Sequence, residues 1–146
     1  MTRPVSRDVV VERLTRLRSL LDEMRGIGVP TPAQLRSDHV TRYALERLVT
    51  LIVDAATALN SHVTARQLDR VATTYAETFD LAADAGVIDD ELASRIRDSA
   101  KLRNLLVHDY ADIDYDILAA ALRRVLDDYH LYVQQVARWL RDQESA

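Results

Sequence analysis

The 146-residue chain contains no cysteine, which excludes a disulfide framework and thiolate metal sites and is compatible with a reducing compartment. Glycine and proline occur only three times each, so little interrupts a chain rich in Ala, Leu, Arg, Asp and Glu. That composition predicts an almost wholly helical protein. Lysine occurs once, at Lys101, leaving arginine as 18 of the 19 basic residues. No physical requirement demands such exclusivity, and we read it as coding bias. The N-terminal MTRPVSRDVV carries arginine without a following apolar stretch, and no later apolar run reaches bilayer-spanning length. A soluble cytoplasmic protein without a membrane partner is expected. Positive charge is not in excess either: the net charge is −4, unlike the basic footprint usual for phosphate binding. A nucleic-acid enzyme with this balance needs a locally positive cleft. A glycine-rich phosphate loop and a Ser-His-Asp order are also missing.

What is present reads as one domain, 1–146, without internal repeats or a linker, and long enough to bury a core unaided. Val10, Leu14, Leu17, Leu21 and Met24 recur at spacings of four and three and predict a helix over 7–25. Gly26, Gly28 and Pro30 end it, and Thr31-Pro32-Ala33-Gln34 reads as a capping box with proline at the first helical position. A second helix is expected over 38–61, with Val40, Ala44, Leu48, Leu51, Ile52, Ala55 and Leu59 on its apolar face. After an ambiguous polar stretch at 62–67, a third is read over 68–86, with Tyr75, Phe79 and Ala82 inward and Gly86 as terminator. The fourth starts at Asp89 or Asp90 and carries Leu92, Ile96, Ala100, Leu106 and Val107. Asp114 caps a last helix reaching about Arg141, with Ile117 among its buried residues. The expected fold is all-α, an up-and-down bundle of four or five helices.

The chemistry concentrates at 103–110, the octapeptide RNLLVHDY, where Arg103, His108 and Tyr110 form the pattern Arg-x4-His-x-Tyr. Five helical positions separate Arg103 from His108, so they diverge by about 140° and about 7.5 Å in height. One helix cannot easily aim both at one phosphate. Two motif helices meeting across a two-fold axis would converge the four side chains on one cleft. Asn104 and His108 share a face, which lets the amide reach the imidazole. The competing explanation is the helix dipole, which favours Arg and His near any helix C-terminus. Elsewhere, Asp127 and Asp128 lie beside His130 without matching metal ligands on other helices, so neither a metal nor another cofactor is expected. His39 and His62 read as helix-end residues. Arg95, Arg97 and Lys101 could guide RNA, although an ordinary charged face accounts for each.

With its helical surroundings, the octapeptide resembles the signature of the HEPN ribonuclease toxins, and among them the HepT-like branch. The resemblance covers most of the chain, since the helix around 38–61, the one ending in ETFDLAADAGVI, the motif helix and the long C-terminal helix follow that family's order. It implies a homodimeric endoribonuclease toxin of a type VII-like toxin–antitoxin system, with tRNA a candidate substrate. It also implies Arg103 and His108 as the active-site pair, with Asn104 as the supporting polar residue. Tyr110 matches the position to which a partner nucleotidyltransferase antitoxin, MntA-like, attaches AMP. The competing class is a non-catalytic HEPN module that only binds a nucleotidyltransferase or nucleotide.

Overall fold

The computed structural model describes residues 4–108 and 113–145, and every regular element among them is a helix. α1 spans Arg7–Ile27, α2 Pro32–Ser37, α3 His39–Gln67, α4 Tyr75–Asp84, α5 Asp90–Ile96, α6 Asp98–Val107 and α7 Tyr115–Ser145. The all-α bundle is as expected. Its seven segments exceed four or five because one short helix is set off between α1 and α3 and the expected fourth helix is split.

α3 is the central element. Leu45, Val49, Ile52, Val53, Ala56, Leu59 and Val63 are all fully or almost fully buried and fall within an arc of about 120°, one broad stripe facing the core. α3 is long and apolar enough to cross a membrane, contrary to the expectation that no run reached that length. Its most apolar stretch is 67% buried inside the bundle, which accounts for its hydropathy by core packing. α1 runs antiparallel to α3, with Ser6 beside His62, and antiparallel to α7, with Arg25 beside His130 and Arg7 beside Glu144. α7 therefore runs parallel to α3, and α4, α5 and α6 close the remaining side.

Local chemistry sets the boundaries. Ser6 caps α1 through Val9 N–H, and Gly28, at φ 81°, ends it in a conformation that L side chains rarely adopt. The Thr31 and Gln34 capping box forms reciprocally, with the Thr31 hydroxyl accepting from Gln34 N–H and the Gln34 amide oxygen accepting from Thr31 N–H. Asp114 caps the start of α7 by accepting from Asp116 and Ile117 N–H.

Four boundary expectations need correction. The polar stretch 62–67 continues α3, so His62 is not at a helix end. Residues 68–74 are not helical: Asp69 takes φ 52°, and Thr74 accepts from Glu77 N–H to start α4 only at Tyr75. The spacing of Thr74 and Glu77 is the sequence signature of that start. The expected fourth helix breaks at Arg97 into α5 and α6, where the buried Ser99 hydroxyl donates to the Ile96 carbonyl and also bonds the Tyr129 hydroxyl at 2.8 Å. The last helix continues beyond Arg141 to Ser145.

Four residues expected inside are not. Val40 is 79% exposed and Ile117 64%, both near the first turn of a helix, and Val107 is 45% exposed at the end of α6. Tyr75 is 38% exposed, with its ring against the Arg103 guanidinium.

Behind α4 lies a buried aromatic and polar cluster. Phe79 meets the rings of Tyr129 and Tyr132 edge-on at 6.4 and 6.1 Å. The Tyr132 hydroxyl donates to Asn60 Oδ1 at 2.6 Å, Asn60 Nδ2 donates to Thr78 Oγ1, and the Thr78 hydroxyl donates to the Tyr75 carbonyl. The chain of bonds ties α7, α3 and α4 together and fixes Tyr75 at the first turn of α4. Burial raises the pKa of the Tyr132 hydroxyl well above its ordinary value, so it remains a donor.

Candidate active site

Arg103 sits on α6 facing α3 and α4. Its Nε donates to Asp54 Oδ1 at 3.1 Å, its Nη1 donates to Asn104 Oδ1 at 3.4 Å, and its guanidinium lies 4.9 Å from the centroid of the Tyr75 ring. Three contacts from three directions fix a side chain that would otherwise sample many rotamers. The side chain is 20% exposed, so the held guanidinium still reaches the surface. Nη2 has no hydrogen-bond partner among the described residues. An oriented, partly exposed fork of this kind suits a phosphate oxygen.

His108 occupies the C-cap of α6, in right-handed helical geometry at φ −83° and ψ 0°, with its N–H donating to the Asn104 carbonyl. It lies on the exposed surface, five residues beyond Arg103. The Asn104 carboxamide oxygen is turned to Arg103, so its described role is to orient the guanidinium. Tyr110 falls outside the described residues. The chain re-enters the described structure before α7, where the Tyr115 ring lies 5.5 and 5.6 Å from the guanidinium carbons of Arg36 and Arg42. These stacks anchor α7 to α2 and to the first turns of α3.

Two site residues escaped the sequence reading. Asp54 is the lone acid in the apolar stretch LVTLIVDAATAL of α3, and an unpaired carboxylate there was the available signal. Tyr75 gave no such signal, since an aromatic at a helical spacing normally packs inward.

The remaining candidates disperse. Arg95 pairs with Glu91 and Asp128, and Arg97 with Asp80, so neither cation is left uncompensated. His130 instead lies 3.5 Å from Arg25, on the other side of α7 from Asp128. Among the described residues no group of three His, Asp or Glu side chains is placed to hold a metal ion. His39 remains exposed at the start of α3, bonded to the Arg36 carbonyl.

Residues 11–136 match the family model described as ribonuclease HepT-like. The chain is 32% identical over 133 residues to a tRNA nuclease HepT of Aphanizomenon flos-aquae, covering 90% of each sequence. It is 17% identical over 129 residues to an mRNA nuclease HepT of Shewanella oneidensis, covering 88% of this chain and 96% of the relative. Its fold matches a solved Shewanella oneidensis HEPN toxin, tri-AMPylated and in complex with an MNT antitoxin. The TM-score is 0.80 at 16% identity, with 91% of this chain and 99% of the other covered.

Proposed function

The chain belongs to the family of HepT-like ribonucleases, and from that premise we propose that it is an RNA-cleaving toxin whose site is assembled from two copies of the motif helix. The observation that carries the proposal is the Arg103 guanidinium, held by Asp54, Asn104 and Tyr75 five residues before the exposed His108. Cleavage uses the RNA 2′-hydroxyl as its own nucleophile. One His108 takes the 2′ proton, the oxygen attacks the adjacent phosphorus, and the His108 of a second copy protonates the departing 5′-oxygen. Arg103 binds the non-bridging oxygens as charge grows on them. The products are a 2′,3′-cyclic phosphate and a 5′-hydroxyl.

A second copy is needed because one chain offers a single imidazole in the motif. The surface favours such a pairing: Leu105 and Val107 flank the site on α6, each 45% exposed, and Ile117 stands out at the start of α7. The relative from Aphanizomenon flos-aquae is a tRNA nuclease and the one from Shewanella oneidensis an mRNA nuclease, so RNA is the common substrate and tRNA the first to try.

Neutralisation follows from Tyr110. The Shewanella oneidensis toxin of the same fold is AMPylated and bound to an MNT antitoxin. In this chain the corresponding reaction is attack of the Tyr110 phenol on the α-phosphorus of ATP, with pyrophosphate leaving, catalysed by a nucleotidyltransferase antitoxin of the MntA type. The added phosphate would occupy the Arg103 fork and obstruct RNA.

The deciding experiment is cleavage of labelled tRNA by the intact chain in EDTA. We expect cyclic-phosphate ends, with loss of activity in Arg103→Ala and in His108→Ala. A requirement for magnesium, or activity persisting in both variants, would overturn the mechanism. A protein that binds the antitoxin but cleaves no RNA would be the non-catalytic module instead.

A further inference from the structure

The seam between α1 and α7 shares no residue with the Arg103 site and carries the reverse of the chain's overall charge. An open groove of about 550 Å³ runs along it, with Arg18 and Arg25 on the α1 side, His130, Arg138 and Arg141 on the α7 side, and Leu21, Val133 and Ala137 between them. A second hollow of about 160 Å³ shares Arg18, Ala137 and Arg141 with it and extends it towards Arg7 and Glu144. The two helices are antiparallel, so the basic side chains form two facing rails. The α1 rail from Arg18 to Arg25 is roughly 10 Å long, and the α7 rail from His130 to Arg141 roughly 16 Å.

The compensation of these charges is uneven. The carboxylates of the seam are Asp22, paired with Arg25 at 3.1 Å, and Glu144, paired with Arg7. Arg18, Arg138 and Arg141 make no ion pair among the described residues. Five arginines against two carboxylates leave three positive charges, in a molecule whose net charge is −4. The arginine stems can cover Leu21, Val133 and Ala137, but the like charges at their ends repel across the two rails. A polyanion lying between the rails would relieve that repulsion.

We propose that the α1/α7 seam is a docking groove for the phosphate backbone of RNA, a second contact surface that holds substrate while the Arg103 site cleaves. The inference rests on the ribonuclease reading. Forked guanidinium donors on both sides suit successive phosphates of one strand, and the apolar floor accommodates sugar edges without demanding a base sequence. Arg25 is braced by Asp22 and lies 3.5 Å from His130.

The test uses the full chain carrying His108→Ala, so that bound RNA is not cut, and measures the affinity for a short single-stranded RNA across a salt series. Replacing Arg18, Arg138 and Arg141 together by Gln should weaken binding and lower the slope of log affinity against log salt by about 2, as three lost phosphate contacts require. Circular dichroism checks folding. Should the triple variant unfold, Gln134→Lys adds one charge to the same rim and should raise the slope by about 0.7. An unchanged slope in whichever variant folds, or no RNA binding by the parent, overturns the groove. So does loss of binding to poly-glutamate with RNA binding intact, which would assign the seam to an acidic protein partner. Cleavage is scored separately on the chain with His108 present. Salt-dependent RNA binding through the seam without any cleavage removes the nuclease reading and leaves the groove, whereas cleavage with no effect of the arginines removes the groove alone.

Discussion

Arg103 and Asp54 are 49 positions apart in the sequence and 3.1 Å apart across the α6 and α3 helices. The carboxylate takes the Nε edge of the guanidinium, which turns the Nη edge away from α3. The ion pair is partly exposed, with Asp54 38% accessible, so its contribution to stability is at most about 1 kcal/mol. Its consequence lies in orientation.

Asp54→Ala should therefore fold normally and cleave RNA slowly. A misdirected guanidinium costs roughly 1.4–2.7 kcal/mol of transition-state stabilisation, or about 10- to 100-fold in kcat. Tyr75→Ala should act in the same direction, while Tyr75→Phe, which keeps the ring under Arg103, should stay near wild type. Single-turnover rates with unchanged RNA affinity would establish positioning. Wild-type rates in both Asp54→Ala and Tyr75→Ala would reduce the pair to surface decoration.

Leu105 and Val107 lie inside the motif, between Arg103 and His108, and each is 45% exposed. Charged replacements there, Leu105→Asp with Val107→Asp, should convert a micromolar dimer to monomer in sedimentation and abolish cleavage in parallel. An active monomer would remove the two-copy site.

Tyr110 carries the regulatory prediction. Intact-mass analysis of the chain co-expressed with its nucleotidyltransferase should show added AMP on the wild type, none on Tyr110→Phe, and loss of RNase activity in proportion to modification. AMP persisting on Tyr110→Phe, or modified protein that cleaves normally, would place the switch elsewhere.

His62 gives a pH dependence unrelated to the site. Its Nε2 accepts from the Ser6 N–H at 3.0 Å, and partial burial, with Arg66 and Arg13 nearby, lowers its pKa from the ordinary 6.5. Between the lowered folded value and 6.5 the unfolded chain binds the proton and the folded chain does not. Stability from this bond is thus complete above pH 6.5 and declines as pH falls through the folded value. Denaturant unfolding should show that decline in the wild type and a flatter profile in His62→Gln, which keeps an acceptor but does not titrate.

Composition and periodicity were enough for the helical class, and caps such as Thr31 with Gln34, and Asp114, were readable because a cap is satisfied within four residues of itself. The RNLLVHDY stretch was legible for a similar reason: its spacing is local, and it lies within residues 11–136, which match the family model. The break at Arg97 was not legible, since the Ser99 hydroxyl that bends the helix is held by Tyr129, 30 positions away. Nor was the exposure of Val40 and Ile117, because an apolar stripe at a helix end has no neighbour until the chain ends are placed. The partners of Arg103 belong to the same category. Asp54 on α3 and Tyr75 on α4 reach the guanidinium only after the Tyr132, Asn60 and Thr78 bonds have set α4 against α3. Hydrogen-bonding and helical periods act over a few residues, whereas the direction of a side chain across a bundle depends on which helices pack together, and that is decided by the burial of the whole core.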